Sequence, residues 1–243
     1  MKYYKIINPN GHNGLIYHEG YNEDPSYSYT SDDGYKYGIH FAREDILAFL
    51  DYGTDLYEVE PIGHVYEDPI TPKTYEAHAV NLKYIGKVKE NIEFLVNQGA
   101  NIHVDNEAAL IFAVCENDLK LTKFLIDHGA NVNARDGSAL SIAVINENLE
   151  LVELLLECGA DVNCGHGYPL NLAITQHNLE LIKLLLNRGA DANCWDGLPL
   201  RIAADQDNLE LAKLLIEYGA DINGCKISKR FARKVNQVVS QAS

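Results

Sequence analysis

Glu58-Val59-Glu60 sets two carboxylates two positions apart, so both fall on one face of any strand they occupy. With Arg43 in the same tyrosine-rich segment, such a pair could hold a dinucleotide and serve group transfer. The same alternation also suits the wet side of an edge strand, where charge discourages pairing with other chains. A structural role is therefore the expectation for Glu58 and Glu60. Other chemistry has less to stand on. His12, His18, His40, His64 and His78 are scattered, with neither an HExxH spacing nor paired cysteines around them. Cys164 and Cys194 sit thirty residues apart in equivalent positions, which reads as repetition of a small residue rather than ligation. Phosphate-binding glycine loops, nucleophile elbows and kinase signatures are absent. No enzyme activity, cofactor or metal is expected.

The elements that would position any site fall into two halves. Thirteen of the fifteen tyrosines and five of the seven prolines lie at or before Tyr84, and a leucine-rich stretch follows. That shift separates two folding units of different class. Over the whole chain, 20 basic against 35 acidic residues give a formal charge of −15. Such a field repels phosphate backbones and anionic lipid, so neither nucleic acid nor membrane is expected as a partner. No apolar run approaches the ~20 residues that span a bilayer. The start lacks the apolar core of a signal peptide. Five cysteines form no disulfide framework. The expected location is cytoplasmic.

The second half repeats itself. Gly-Ala followed by Asn or Asp recurs at Gly99, Gly129, Gly159, Gly189 and Gly219, thirty residues apart each time. Leu110, Leu140, Leu170 and Leu200 keep the same register, three residues before Ala113, Ala143, Ala173 and Ala203. Each copy reads as two short helices. Asp118, Asn148, Asn178 and Asn208 are good N-caps for the second, and Gly159 and its equivalents supply a left-handed residue to end it. Leu149, Val152, Leu155 and Leu156 are expected on one buried face. Pro169 and Pro199 suit the first turn of the first helix. Two short helices cannot bury their apolar faces alone, so the copies must stack into a solenoid.

The stretches Asn148-Leu-Glu-Leu-Val-Glu-Leu-Leu-Leu-Glu-Cys-Gly-Ala-Asp-Val-Asn163 and Asn208-Leu-Glu-Leu-Ala-Lys-Leu-Leu-Ile-Glu-Tyr-Gly-Ala-Asp-Ile-Asn223 closely resemble ankyrin repeats. The resemblance covers residues 86–225. The family period is about 33 residues, so the shortfall should lie between Asn163 and Leu170 and in equivalent places, giving short β-turn fingers. The family's Thr-Pro-Leu-His signature is degraded to forms such as Tyr168-Pro-Leu-Asn171, which removes its usual hydrogen bond and leaves the first helices without that cap. Ile227, Phe231, Val235, Val238 and Val239 make one apolar stripe. Residues 226–243 are accordingly read as a capping helix with a solvated, basic outer face.

Residues 1–85 read as an α+β domain. Strands are expected at Tyr3–Ile7, Leu15–His18, Tyr27–Thr30, Tyr35–Phe41, Leu56–Glu60 and His64–Tyr66, with a short helix over Ala42–Leu50. Tyr4-Lys-Ile, Tyr17-His-Glu-Gly-Tyr-Asn22, Tyr37-Gly-Ile-His-Phe41 and Phe49-Leu-Asp-Tyr-Gly53 resemble the small domain that precedes ankyrin arrays in proteins of giant amoeba-infecting viruses. That likeness implies a viral protein acting on a host or viral partner in the host cytoplasm. Glu58-Val59-Glu60 also has the look of the paired acids of some ADP-ribosyltransferases. The alternative function is therefore a nucleotide-dependent transferase with the array as a recruiting arm. Homo-oligomerisation through the Tyr-rich domain is a third possibility.

The favoured function is a non-catalytic protein-interaction module. Solenoid repeats present turn tips and the outer side of the first helix. By column, that surface holds Arg135, His166 and Trp195 at the tips and Tyr168 and Leu198 beside them. Asn171 and Arg201 follow on the helix, then Gln176, Asp205 and Gln206. These columns vary from copy to copy while the core columns repeat. Trp195 is the only tryptophan, and an aromatic-plus-Arg cluster flanked by acids should prefer a basic or amphipathic segment.

Overall fold

A computed structural model describes residues 2–7, 20–23, 39–42, 46–47, 55–67, 74–77 and 79–241. By internal contacts the chain divides into two compact units. One comprises Met1–Phe112 with Asp127–Ala130, the other Ala113–Ile126 with Asn131–Ser243.

Among the described residues, the first unit is built on a seven-stranded sheet. Its strands are β1 (Tyr3–Ile7), β2 (Gly20–Glu23), β3 (Ile39–Ala42), β4 (Asp55–Ile62), β5 (Tyr66–Glu67), β6 (Thr74–Ala77) and β7 (Ala79–Lys87). The order is β2-β7-β4-β1-β3-β6-β5, with every pairing antiparallel. Helix α1 (Val88–Asn97) follows β7 directly and packs on β7 and β4. Side chains alternate along the strands and so divide between two faces. Tyr4 is buried with its ring edge-on to Phe94 of α1. On the opposite face Phe41, Val59, Ala77, Val80 and Leu82 form an apolar cluster joined by Tyr3, Tyr57 and Tyr75.

Several expectations for this segment change. Pro61 and Ile62 do not separate two strands; β4 runs through them, with Pro61 opposite Val80 of β7. Proline is tolerated there because β1 begins opposite Val59, so past that point β4 has no partner on its β1 side among the described residues. The strand expected at His64–Tyr66 is instead Tyr66–Glu67. Ala42 closes β3 rather than opening a helix, while Ile46 and Leu47 beyond it are fully buried. Leu15–His18, Tyr27–Thr30, the first part of Tyr35–Phe41 and the pair Phe49 and Leu50 lie outside the described residues.

Helices α2 (Ala108–Cys115) and α3 (Leu119–Asp127) follow. The second unit then continues with α4 (Ala134–Ile145), α5 (Leu149–Glu157), α6 (Cys164–Thr175), α7 (Leu179–Asn187), α8 (Cys194–Asp205), α9 (Leu209–Glu217) and α10 (Lys229–Gln241). The first helices form a row, α4 on α6 and α6 on α8. Each is backed by its second helix, and α10 closes the row against α9. Asn148, Asn178 and Asn208 cap the second helices, each side chain accepting from the N–H three residues on at 3.0 to 3.1 Å. Glu150, Glu180 and Glu210 in the first turns complement the helix dipole. At the other end Gly159 takes φ +88, and Ala160 N–H donates to Leu155 O at 2.9 Å, the left-handed closure expected of that glycine. The buried stripe of α5 is Leu151, Val152 and Leu155. Leu149, at the first helical position, and Leu156 are only half-buried.

The fingers are not β-turns. Arg135, Asp136 and Gly137 take φ of 52, 54 and 72°, three left-handed residues in succession. Gly165, His166 and Gly167 repeat the pattern in α6, and Trp195, Asp196 and Gly197 in α8. Each is a single left-handed turn closed by an N–H of the last glycine donating four residues back, as from Gly167 to Asn163 O at 2.9 Å. This compact closure makes up for the missing residues of the 30-residue period. Pro169 and Pro199 stand in the first turn after it, as expected.

Candidate protein-binding surface

Holding L-residues left-handed costs about 1–2 kcal/mol each, so the tips need fixing from outside. An asparagine ladder supplies this. Asn133 Nδ2 donates to Gly159 O at 2.9 Å while its Oδ1 accepts from Asp161 N at 2.8 Å. Asn163 binds Gly189 and Asp191 in the same way, and Asn193 binds Gly219 and Asp221. Within each copy the Asn or Asp two residues before accepts the ladder residue's N–H, Asn131 Oδ1 from Asn133 at 3.0 Å and Asp161 Oδ1 from Asn163 at 2.9 Å. The ladder replaces the lost Thr–His contact as the bond that sets the turn against its neighbour.

Cysteines complete the tip. Cys164, Cys194 and Cys225 lie beneath Gly137, Gly167 and Gly197 of the preceding turn, each thiol aimed at that glycine's carbonyl at 3.7 to 3.9 Å. A Cβ on Gly137 would fall 2.4 Å from Cys164 Cβ, so glycine is required there for close approach as well as for φ. Burial pushes the Cys164 and Cys194 thiols up. In the first unit Glu107 takes the equivalent place at φ 69°, buried, with its carboxylate hydrogen-bonded to His103 Nδ1 at 2.7 Å.

The turn throws its first two side chains outward. Arg135, His166 and Trp195 are all exposed, Trp195 to 55%. Tyr168 is exposed and Leu198 half-buried beside them, and Arg201 is exposed on α8. Asp205 and Gln206 are exposed at the far end of that helix. Gln176 is half-buried, its amide donating to Ile145 O at 3.0 Å across to the preceding copy.

Asn171 is a correction. It is buried, and its amide donates to Gly167 O at 3.3 Å and lies 3.3 Å from Cys194 Sγ. Ser141, in the same column, is also buried, so that column faces the next repeat rather than a partner. Arg201 escapes because it belongs to the last first-helix of the row. The sequence reading also passed over Glu147, His177 and Asp207, exposed left-handed residues at the other helix end. Their signal was their variation immediately before a cap position held by Asp or Asn in every copy.

The acidic pair sits differently from expectation. β4 lies between β7 and β1, so Glu58, opposite Tyr4 of β1, is on an inner stretch rather than an edge, whereas Glu60 lies past the start of β1, where β4 has an open side among the described residues. Glu58 pairs with Lys2 at 2.7 Å, a hydrogen bond that raises the lysine's pKa, and Glu60 accepts from Asn81. Both acids are thus engaged in binding neighbours of the sheet. Arg43 lies outside the described residues. Among the described residues there is no cluster of His, Cys, Asp and Glu suited to a metal ion. No helix among them is long and apolar enough to cross a membrane.

Residues 78–166 and 140–224 match the family model of ankyrin repeats in three copies, more than half of the chain. The chain belongs to the ankyrin-repeat family. No curated protein matches it. The match stops short of the first 77 residues, so it lends nothing to the viral resemblance of that segment. Ankyrin repeats generally mediate protein–protein interaction, and this fits a binding module.

Proposed function

We propose that this ankyrin-repeat chain is a non-catalytic interaction module whose left-handed turn tips and exposed first-helix positions bind a basic or amphipathic segment of another protein. Residues 1–85 form its Tyr-rich domain, 86–225 the repeats and 226–243 the cap. One observation carries the proposal. The buried framework repeats from copy to copy, while the outward tip positions change and present a tryptophan more than half exposed. A rigid scaffold with a variable, aromatic-bearing surface is the arrangement of a binding face. Asp136, Asp196 and Asp205 flank Trp195, Tyr168 and Arg201 and favour positive charge in the partner. The resemblance of the first segment points further, to a host or viral protein met in the cytoplasm.

The test is a pulldown from eukaryotic lysate with the full chain, mass spectrometry to name the partner, and titration of that partner. Alanine at Trp195, Tyr168 and Arg201 together should weaken binding by ~2–4 kcal/mol and leave the unfolding midpoint nearly unchanged. Unaltered affinity for every specific partner would sink the proposal.

A further inference from the structure

We infer that the outward face of α10 is a docking site for an acidic polypeptide segment, independent of the turn tips. Ser228 caps this helix, its Oγ accepting from Phe231 N at 3.1 Å. Phe231 and Val235 are buried. Lys229, Arg230 and Arg233 fall within about 100° of one another on the helix, nearly opposite that buried pair, and all three are exposed. Lys226 is exposed just before the cap. None of these four meets a carboxylate among the described residues, whereas Lys234, at the edge of the stripe, is bound to Asp207 at 2.7 Å.

Stability does not account for this placement. Positive charge in a first helical turn opposes the helix dipole, and neighbouring cations repel one another. Glutamate does occupy the first turns of α1, α5, α7 and α9, although α3 carries Lys120 and no acid there. Helix α10 has no acid in its first turn. A solvated cap needs only polarity on its outer side, which uncharged side chains would supply without repulsion among neighbouring cations. Residues 226–243 carry five of the chain's 20 basic residues and no acid, leaving 15 basic against 35 acidic residues elsewhere.

Charge complementarity then selects the occupant. A long polyphosphate would meet the acidic remainder of the chain and be repelled. A short acidic peptide engages the stripe alone, since charges beyond ~8 Å are screened at physiological salt. Its affinity should be modest and salt-sensitive, built from exposed charge pairs.

The experiment uses the full chain and a K229E/R230E/R233E variant. A short fluorescein-labelled peptide rich in Glu and Asp is titrated by anisotropy across a salt series. Expected is saturable binding that weakens as salt rises and is roughly tenfold or more weaker in the variant. Because acids suit a first turn, the variant should melt no lower than the parent. Should it melt lower, an R230Q/R233Q variant carries the same comparison. Three results overturn the inference: no saturable binding at low salt, undiminished binding by the folded variant, or an oligonucleotide of equal charge binding as tightly as the peptide. Concentration-dependent self-association abolished by the charge reversal would overturn it too, by assigning the face to a second copy.

Discussion

Alanine at Gly167 can separate backbone strain from close packing. Gly167 is the third residue of a left-handed turn, at φ +89, and a Cβ there would lie 2.6 Å from Cys194 Cβ and 2.7 Å from its Sγ. Gly159 has nearly the same backbone, φ +88, with nothing within 4 Å of the added atom. The strain of a left-handed alanine is therefore common to both, about 1–2 kcal/mol, less ~0.4–1 kcal/mol for the stiffer unfolded chain. Only Gly167→Ala adds overpacking, typically 1–3 kcal/mol by rough estimate, because Cys194 is short, buried and anchored at the base of its helix. We expect a loss of about 1 kcal/mol for Gly159→Ala and about 2–4 kcal/mol for Gly167→Ala. Urea denaturation followed by helical circular dichroism, read from midpoints at unchanged slope, measures both. Replacing Cys194 by glycine as well removes both obstructing atoms. The double-mutant cycle should then return a coupling of about 1–3 kcal/mol. Equal losses at the two glycines, or a coupling near zero, would refute the packing account.

Two further outcomes follow from the same architecture. Asn178→Ala removes a helix cap and should cost about 1 kcal/mol; Asn163→Ala breaks two bonds between copies and should cost about 1–2 kcal/mol, both by urea denaturation. Native protein treated with Ellman's reagent should release colour quickly from the exposed Cys115 and Cys158, and from the buried Cys164 and Cys194 only as the array opens. Folding raises the pKa of the last two, so their contribution is full below the ordinary thiol value of 9.0 and is lost as pH rises through the raised folded value. Above pH 9.0 the unfolding midpoint should therefore fall more steeply in the parent than in a Cys164→Ala/Cys194→Ala variant.

The repeat, its asparagine caps and its terminating glycines were legible in the sequence because each is local chemistry. A cap reaches three residues along the chain, a left-handed glycine closes its own helix, and a thirty-residue period shows both in the same register. The strands Tyr3–Ile7 and Leu56–Glu60 were legible for the same reason, through alternation. The tips were not. Asp136-Gly137 and Asp196-Gly197 signal a turn, but Arg135 and Trp195 give no sign that it begins a residue earlier and runs left-handed throughout, held by Asn side chains reaching a Gly 26 and an Asp 28 positions away. Asn171 looked like a surface residue by column and is buried because Cys194 of the next copy lies against it.

By itself, the sequence determined that the second half is a stack of helix pairs, where each pair starts and stops, and that its outward positions vary while its core does not. Periodicity and capping act within a few residues, so they are written in order along the chain. Tertiary structure decided which of the varying positions reach solvent, that the shortened finger closes as a left-handed turn, and that β1 is flanked by β4 and β3 within the sheet. Those outcomes depend on contacts between residues far apart in sequence, whose geometry exists only once the copies and strands have packed.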